Sequence, residues 1–104
     1  MRFEMARHGS VFGTRDRGIQ LLAALQAEWA PVKVDRLVMD FAGVHTLTDS
    51  FTDAFVVKLV QQARDEHLPD PVLENMNDAV ERAVSRCLEL RGLSLHPPVL
   101  TPAC

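Results

Sequence analysis

The sequence has little of what marks a secreted or membrane-spanning protein. It holds two cysteines, Cys87 and Cys104, which lie far apart in no metal-ligand spacing. The first residues carry no apolar run of the kind found in secretory signals. No stretch approaches the roughly 20 apolar residues that span a bilayer. We therefore expect a protein of the reducing cytoplasm with no membrane association.

Basic residues are also in the minority. The 11 lysines and arginines are outnumbered by 14 aspartates and glutamates, and the formal net charge is -3. A surface that neutralises phosphates needs an excess of positive charge, so nucleic acid is not an expected partner. The N-terminal arginines Arg15, Arg17 and Arg36 are interpreted either as solvated side chains or as a patch for an acidic partner.

Patterns typical of catalytic and metal centres are missing as well. The glycine-rich segment at residues 9–18 lacks the lysine of a phosphate-binding loop, and turns and packing account for its glycines. The histidines show neither a pairwise metal spacing nor a link to a nucleophile and a carboxylate. They are His8, His45, His67 and His96. The expected protein has no catalytic activity, no metal and no cofactor.

The elements expected along the chain alternate between strand and helix. A length of 104 residues, 47% of them hydrophobic, is the size of one globular domain. Alternating polarity predicts an edge strand at residues 2–7, and consecutive apolar residues predict a central strand, buried on both faces, at residues 36–41. A third short strand is expected at residues 72–76. Helical spacing predicts helices at residues 15–29, 51–67 and 78–90.

This alternation favours an α/β fold, because parallel strands are joined by right-handed helical crossovers. We predict a small mixed or mostly parallel sheet with about three helices, within residues 1–92. After Gly92, three prolines exclude a helix. Residues 93–104 are therefore predicted to form a C-terminal tail.

The most informative segment is TLTDSFTD, residues 46–53, which separates two apolar stretches. A helix is expected to begin at Ser50, whose hydroxyl could accept from the amide three residues on while Asp53 accepts from the Ser50 amide. The same position would also offer a phosphate on Ser50 the free N–H groups of the first turn, although Asp49 and Asp53 would repel it. A structural cap and a phosphorylation switch are both open.

Two further residues of this region have more than one interpretation. Phe51 either fills the core, which its spacing with Phe55 favours, or protrudes as an anchor for a partner. Asp40 must be hydrogen-bonded or lie at the carboxyl end of its strand, because an unpaired carboxylate is costly inside an apolar strand. A metal- or nucleotide-binding enzyme using Asp40, Asp49 and Asp53 is the alternative, although no lysine or arginine nearby in the sequence completes such a site.

The stretch MDFAGVHTLTDSFTDAF, residues 39–55, resembles the signature of the STAS-like family of small bacterial and archaeal domains. That signature runs approximately hydrophobic-D-F-x-G-V and then S-F-x-D-E. The matching residues are Asp40, Phe41, Gly43, Val44, Ser50, Phe51 and Asp53, and the last acidic position is Ala54. The segments TRDRG (14–18) and VLENMNDAV (72–80) extend the resemblance over most of residues 9–90.

The resemblance implies a function. Anti-sigma-factor antagonists, the better-understood relatives, carry a phosphorylatable serine in the pattern D-L-S-G-V-x-x-x-D-S-S-G. Counting without gaps from Asp40 places that serine at Ser50, with Thr48 at the position of the aspartate and Phe51 at that of the glycine. The implied protein is a non-catalytic signalling module that binds a kinase-like ATPase or another anti-sigma-type regulator.

The resemblance also implies which residues act. The expected interaction surface comprises Thr48, Asp49, Ser50, Phe51 and Asp53. Asp40 and Gly43 belong to the structural part of the motif. Phosphorylation at Ser50 would switch the surface.

Overall fold

The computed structural model describes residues 1–30 and 36–93 of the chain. The strands are β1 (Arg2–Glu4), β2 (Val11–Phe12), β3 (Val38–Asp40), β4 (Thr46–Leu47) and β5 (Val72–Glu74). The helices are α1 (Arg15–Trp29), α2 (Asp49–Thr52), α3 (Lys58–Asp65) and α4 (Asp78–Leu90). A π-helical turn (Asp53–Val57) joins α2 to α3, and the backbone stays helical at both junctions. We call the resulting continuous helix, residues 49–65, the middle helix.

All the described strands pair in parallel. β3 lies between β1 and β5, so that Met39 stands opposite Phe3 on one side and Leu73 on the other. β2 pairs separately with β4, with Phe12 opposite Leu47. The predicted α/β class is confirmed: small parallel sheets are combined with α1, the middle helix and α4.

Two strand predictions need correction. The first strand ends at Glu4, because a 3₁₀ turn (Met5–Arg7) follows and buries Met5 in the core. The central strand is buried fully at Met39 only, whereas the flanking β3 residues are half-buried. Successive side chains point to opposite faces of a sheet, and only the face that carries Met39 lies in the core.

The helix predictions agree more closely with the structure. The predicted helices at residues 15–29 and 78–90 are observed as α1 and α4. The predicted helix at residues 51–67 begins two residues earlier and contains the π-helical turn. Within residues 1–30 and 36–93, every helix is too short or too polar to span a lipid bilayer. Apart from Leu93, the predicted tail lies outside the described residues.

A row of aromatic rings joins the strands to the middle helix. The ring centroid of Phe51 lies 4.8 Å from that of Phe12 on β2 and 5.4 Å from that of Phe55. Phe55 in turn lies 6.4 Å from Phe3 on β1. All four side chains are buried in the core. Tilted aromatic pairs at such separations are favourable beyond the area they bury, so this row fixes the rotation of the middle helix.

α1 crosses the middle helix at Gly18. A Cβ atom at this position would lie 2.9 Å from the Cβ of Ala54 and 3.0 Å from the carbonyl oxygen of Phe51. The crossing leaves no room for a longer side chain at residue 54, where the STAS-like signature has an acidic residue. The close approach also places Arg15, one turn earlier on α1, beside Asp53.

We expect Gly18→Ala to destabilise the protein. The added methyl meets a backbone oxygen and a short side chain that cannot rotate away, and overpacking typically costs about 1–3 kcal/mol. The better helix propensity of alanine offsets at most about 1 kcal/mol of this. Urea denaturation should therefore show a lower free energy of unfolding.

Gly13→Ala is the matched control, because a Cβ at residue 13 would have its nearest neighbour at 4.0 Å. We expect it to leave the free energy of unfolding within about 1 kcal/mol of the wild-type value. Equal destabilisation by both substitutions would contradict the close helix crossing.

Candidate functional site

The middle helix is capped by Thr48, not by Ser50. The Thr48 hydroxyl accepts a hydrogen bond from the Phe51 amide at 3.2 Å, and the Thr48 carbonyl accepts from the Thr52 amide and hydroxyl. The Thr48 amide donates to the Phe12 carbonyl at 3.0 Å, which continues the β2–β4 pairing and keeps Thr48 extended. The predicted cap at Ser50 is therefore wrong, because strand pairing sets the helix start two residues earlier.

Ser50 lies in the first turn of the helix and is exposed. Among the described residues, no group forms a hydrogen bond with its hydroxyl. The residue borders an open depression of about 270 Å³. The depression is lined by Arg15, Asp49, Ser50, Asp53, Cys87, Leu90 and Arg91. Its lining thus comes from α1, the middle helix and the end of α4.

Asp53 does not cap the helix but binds two arginines. Arg91 donates from both Nε and a terminal nitrogen to the two carboxylate oxygens, at 2.9 and 2.8 Å. Arg15 donates to the same carboxylate at 3.4 Å. The hydrogen bonds from Arg91 are the chief reason why the pKa of Asp53 is lowered. Instead of the predicted capping-box bond from the Ser50 amide, Asp53 accepts bonds that link the middle helix to α1 and to the C-terminal end of α4.

Asp49 forms a second arginine pair. Arg86 on α4 donates from Nε and from a terminal nitrogen to the Asp49 carboxylate, at 3.1 and 2.6 Å. These bonds lower the pKa of Asp49. Both side chains are 54% exposed, so solvent screens the pair and it contributes little to stability. The main effect of the pair is on the charge of the surface around Asp49 and Ser50.

Cys87 and Leu90 bring an apolar element to the depression. The Cys87 thiol lies 3.7 Å from the Asp49 carbonyl oxygen and is buried. Burial, followed by the negative charges of Asp49 and Asp53, raises the pKa of this thiol. The thiol is therefore held protonated, which makes it a poor nucleophile. Leu90, in contrast, is 76% exposed.

Asp40 occupies a separate place, at the carboxyl end of β3. Its carboxylate accepts hydrogen bonds from the Ala42 amide at 2.9 Å, the Asn75 side chain at 3.0 Å and Arg2 at 2.8 Å. The bond from Asn75 is the largest cause of its lowered pKa, followed by that from Ala42. The prediction of a hydrogen-bonded carboxylate at a strand end is confirmed. Gly43 forms the following turn with φ +82°, a left-handed conformation that favours glycine.

The three aspartates of the enzyme alternative do not form a candidate metal site. Within residues 1–30 and 36–93, no group of three or more histidine, cysteine, aspartate or glutamate side chains could hold a metal ion. Asp40, Asp49 and Asp53 are each paired with an arginine from another element. The expectation that no basic residue lies near them is wrong, because it considered only neighbours along the chain.

Only part of the predicted interaction surface is exposed. Phe51 is fully buried, so its inclusion in that surface is wrong and its core interpretation is right. Thr48 is half-buried and used as a cap, and Asp53 is largely covered by its arginines. Asp49 and Ser50 remain at the surface.

Three residues of the depression and its edge were not predicted from the sequence. They are Arg86, Leu90 and Arg91, at the C-terminal end of α4.

In comparisons with known proteins, no family model, no curated protein and no solved structure matches this chain. The STAS-like resemblance therefore rests on the sequence motifs at residues 14–18, 39–55 and 72–80 and stays a prediction.

We expect Thr48→Ala and Ser50→Ala to differ in stability. Loss of the Thr48 cap should lower the free energy of unfolding by about 1 kcal/mol. Ser50→Ala removes an exposed hydroxyl and should change it by less than about 0.5 kcal/mol. Chemical denaturation of both variants measures the difference, and a larger loss at residue 50 would contradict the assigned cap.

We expect the contribution of Asp53 to stability to depend on pH. Because its folded-state pKa is lowered, the stabilisation is present above the unfolded-state value of about 3.9 and is lost as the pH falls through the folded-state value. Asp53→Asn should lower the free energy of unfolding by about 1–2 kcal/mol near pH 7, since hydrogen bonds to charged groups are lost.

Denaturation at several pH values measures this dependence. The difference between wild type and Asp53→Asn should shrink below about pH 4. Asp65→Asn alters an exposed aspartate elsewhere on the same helix and is the matched control. A difference at Asp53 that does not change with pH would contradict the ion-pair assignment.

Proposed function

We propose that this chain is a non-catalytic regulatory module of the STAS-like kind, which binds a protein partner through the face around Ser50 and is switched by phosphorylation of Ser50. The observation that carries the proposal is the exposed Ser50 hydroxyl, which has no hydrogen-bond partner among the described residues. Thr48 already caps the helix, so the fold leaves Ser50 free for modification.

The charges around Ser50 support a switch. Repulsion by Asp49 and Asp53 is the main objection to a phosphate on Ser50. The structure weakens this objection, because both carboxylates are paired with arginines. Arg15, Arg86 and Arg91 set three positive charges against these two negative ones. A phosphate adds about −1.5 to −2 charges, so modification would reverse the sign of the net charge on this face.

The partner class follows from the resemblance at residues 39–55. A kinase-like ATPase of the anti-sigma type would both bind this face and transfer a phosphate to Ser50. The transfer joins the γ-phosphoryl group of ATP to the Ser50 oxygen, releases ADP and gives up the hydroxyl proton to a base of the kinase. This chain would supply only the acceptor.

The test is incubation with ATP, Mg²⁺ and the anti-sigma-type kinases of the source organism, followed by intact-mass measurement and peptide mapping. We expect one phosphate per chain, located on Ser50, and no phosphate on Ser50→Ala. Ser10→Ala is the matched control, since Ser10 is also exposed but lies in a turn before β2.

A phosphate on another residue, or an unmodified chain under conditions in which the kinases modify their own known substrates, would overturn the proposal. Loss of modification in both serine variants would point to a folding defect, which the denaturation of Ser50→Ala described above detects separately.

A further inference from the structure

At the face around Ser50, the arginine side chains are more exposed than the Asp53 carboxylate to which they bind. The Asp53 side chain is 15% exposed, whereas the Arg15 and Arg91 side chains above it are each 53% exposed. Each guanidinium carries five N–H donors in a planar fork, and Arg15 uses only one nitrogen for its bond to Asp53. Donors therefore remain available toward solvent.

An exposed leucine lies among these cations. Leu90 is 76% exposed, the largest fraction among the exposed large hydrophobic residues of the described chain. It lines the same depression as Ser50 and the guanidinium-bearing residues Arg15 and Arg91. It also follows Arg86 by four residues on α4, so the two side chains are neighbours on the helix surface. The face thus combines an apolar centre with a positive rim.

We propose that this face, formed by Arg15, Ser50, Arg86, Leu90 and Arg91, docks an acidic protein segment that places one apolar side chain against Leu90. The inference rests on the proposed function and specifies its partner. Carboxylates of the segment would meet the outward guanidinium groups, a pairing that is often bidentate. The apolar side chain would cover Leu90 within the depression.

Charge complementarity decides the chemistry of the occupant. The whole chain has a formal charge of -3, whereas the ion-paired cluster of three arginines and two aspartates at this face carries one net positive charge, which Arg86 supplies at the edge of the depression. A basic segment would be repelled by the face, and a nucleic acid would be repelled by the rest of the chain and would not use Leu90. A phosphate on Ser50 would repel an acidic segment, so phosphorylation would release the partner from this face.

Fluorescence anisotropy with three labelled peptides tests the inference. The first peptide carries glutamates on both sides of one leucine, the second has serine in place of leucine, and the third has lysines in place of the glutamates. We expect binding of the first peptide, weakened by salt, and at least severalfold weaker binding of the other two.

Variants of the full chain locate the binding. Leu90→Ser should weaken binding of the first peptide by about tenfold or more, because burial of one apolar side chain is lost. Arg86→Gln should weaken it severalfold, because it removes one positive charge from the face; within the described chain the ion-pair partner of Arg86 is the exposed Asp49. Val11→Ser is the matched control, because Val11 is 65% exposed but does not line the depression, and it should leave binding unchanged.

The inference is overturned if no peptide binds, if the lysine peptide binds as well as the first, or if Val11→Ser weakens binding as much as Leu90→Ser. Tighter binding of a single-stranded oligonucleotide of equal charge would overturn it too. Modification of Ser50 without peptide binding would leave the proposed switch standing. Peptide binding without modification would instead remove the switch and keep the docking surface.

Discussion

The burial of Phe51 is the constraint on which the rest of the site depends. Its ring lies between those of Phe12 and Phe55, in contact with both a strand and the next turn of the helix. Successive residues of a helix are rotated by about 100°, and Phe51 and Thr52 are both buried, so Ser50 on the other side of Phe51 faces solvent. The accessible hydroxyl is thus a consequence of core packing.

The charged layer above this core has a different physical role. Its pairs join Asp49 and Asp53 of the middle helix to arginines on α1 and α4. The Asp49–Arg86 pair is exposed on both sides and contributes little to stability, whereas the more covered Asp53 carboxylate contributes moderately. Aromatic packing and the Gly18 crossing hold the helices together, while the ion pairs set the charge of the face that Ser50 and Leu90 share.

Several elements could be predicted from local pattern alone. The helices at residues 15–29 and 78–90 show a long, regular apolar spacing, which is the strongest local signal of a helix. β4 has two residues, too few to show any period, so the sequence pattern predicts no strand there. The cap was misplaced because Thr48 and Ser50 are both suitable capping residues, and only the hydrogen bond from the Thr48 amide to Phe12 distinguishes them.

The sequence by itself determined the α/β class, because strands and helices alternate along the chain. It also favoured burial for Phe51, from its helical spacing, and a hydrogen bond or a strand end for Asp40, from the cost of an unpaired carboxylate. Only the tertiary structure decided which arginines meet the aspartates, since Asp53 and Arg91 are 38 residues apart. No local pattern encodes such a separation. It depends on how α4 packs against the middle helix, and with that packing came the positive, leucine-centred face beside Ser50.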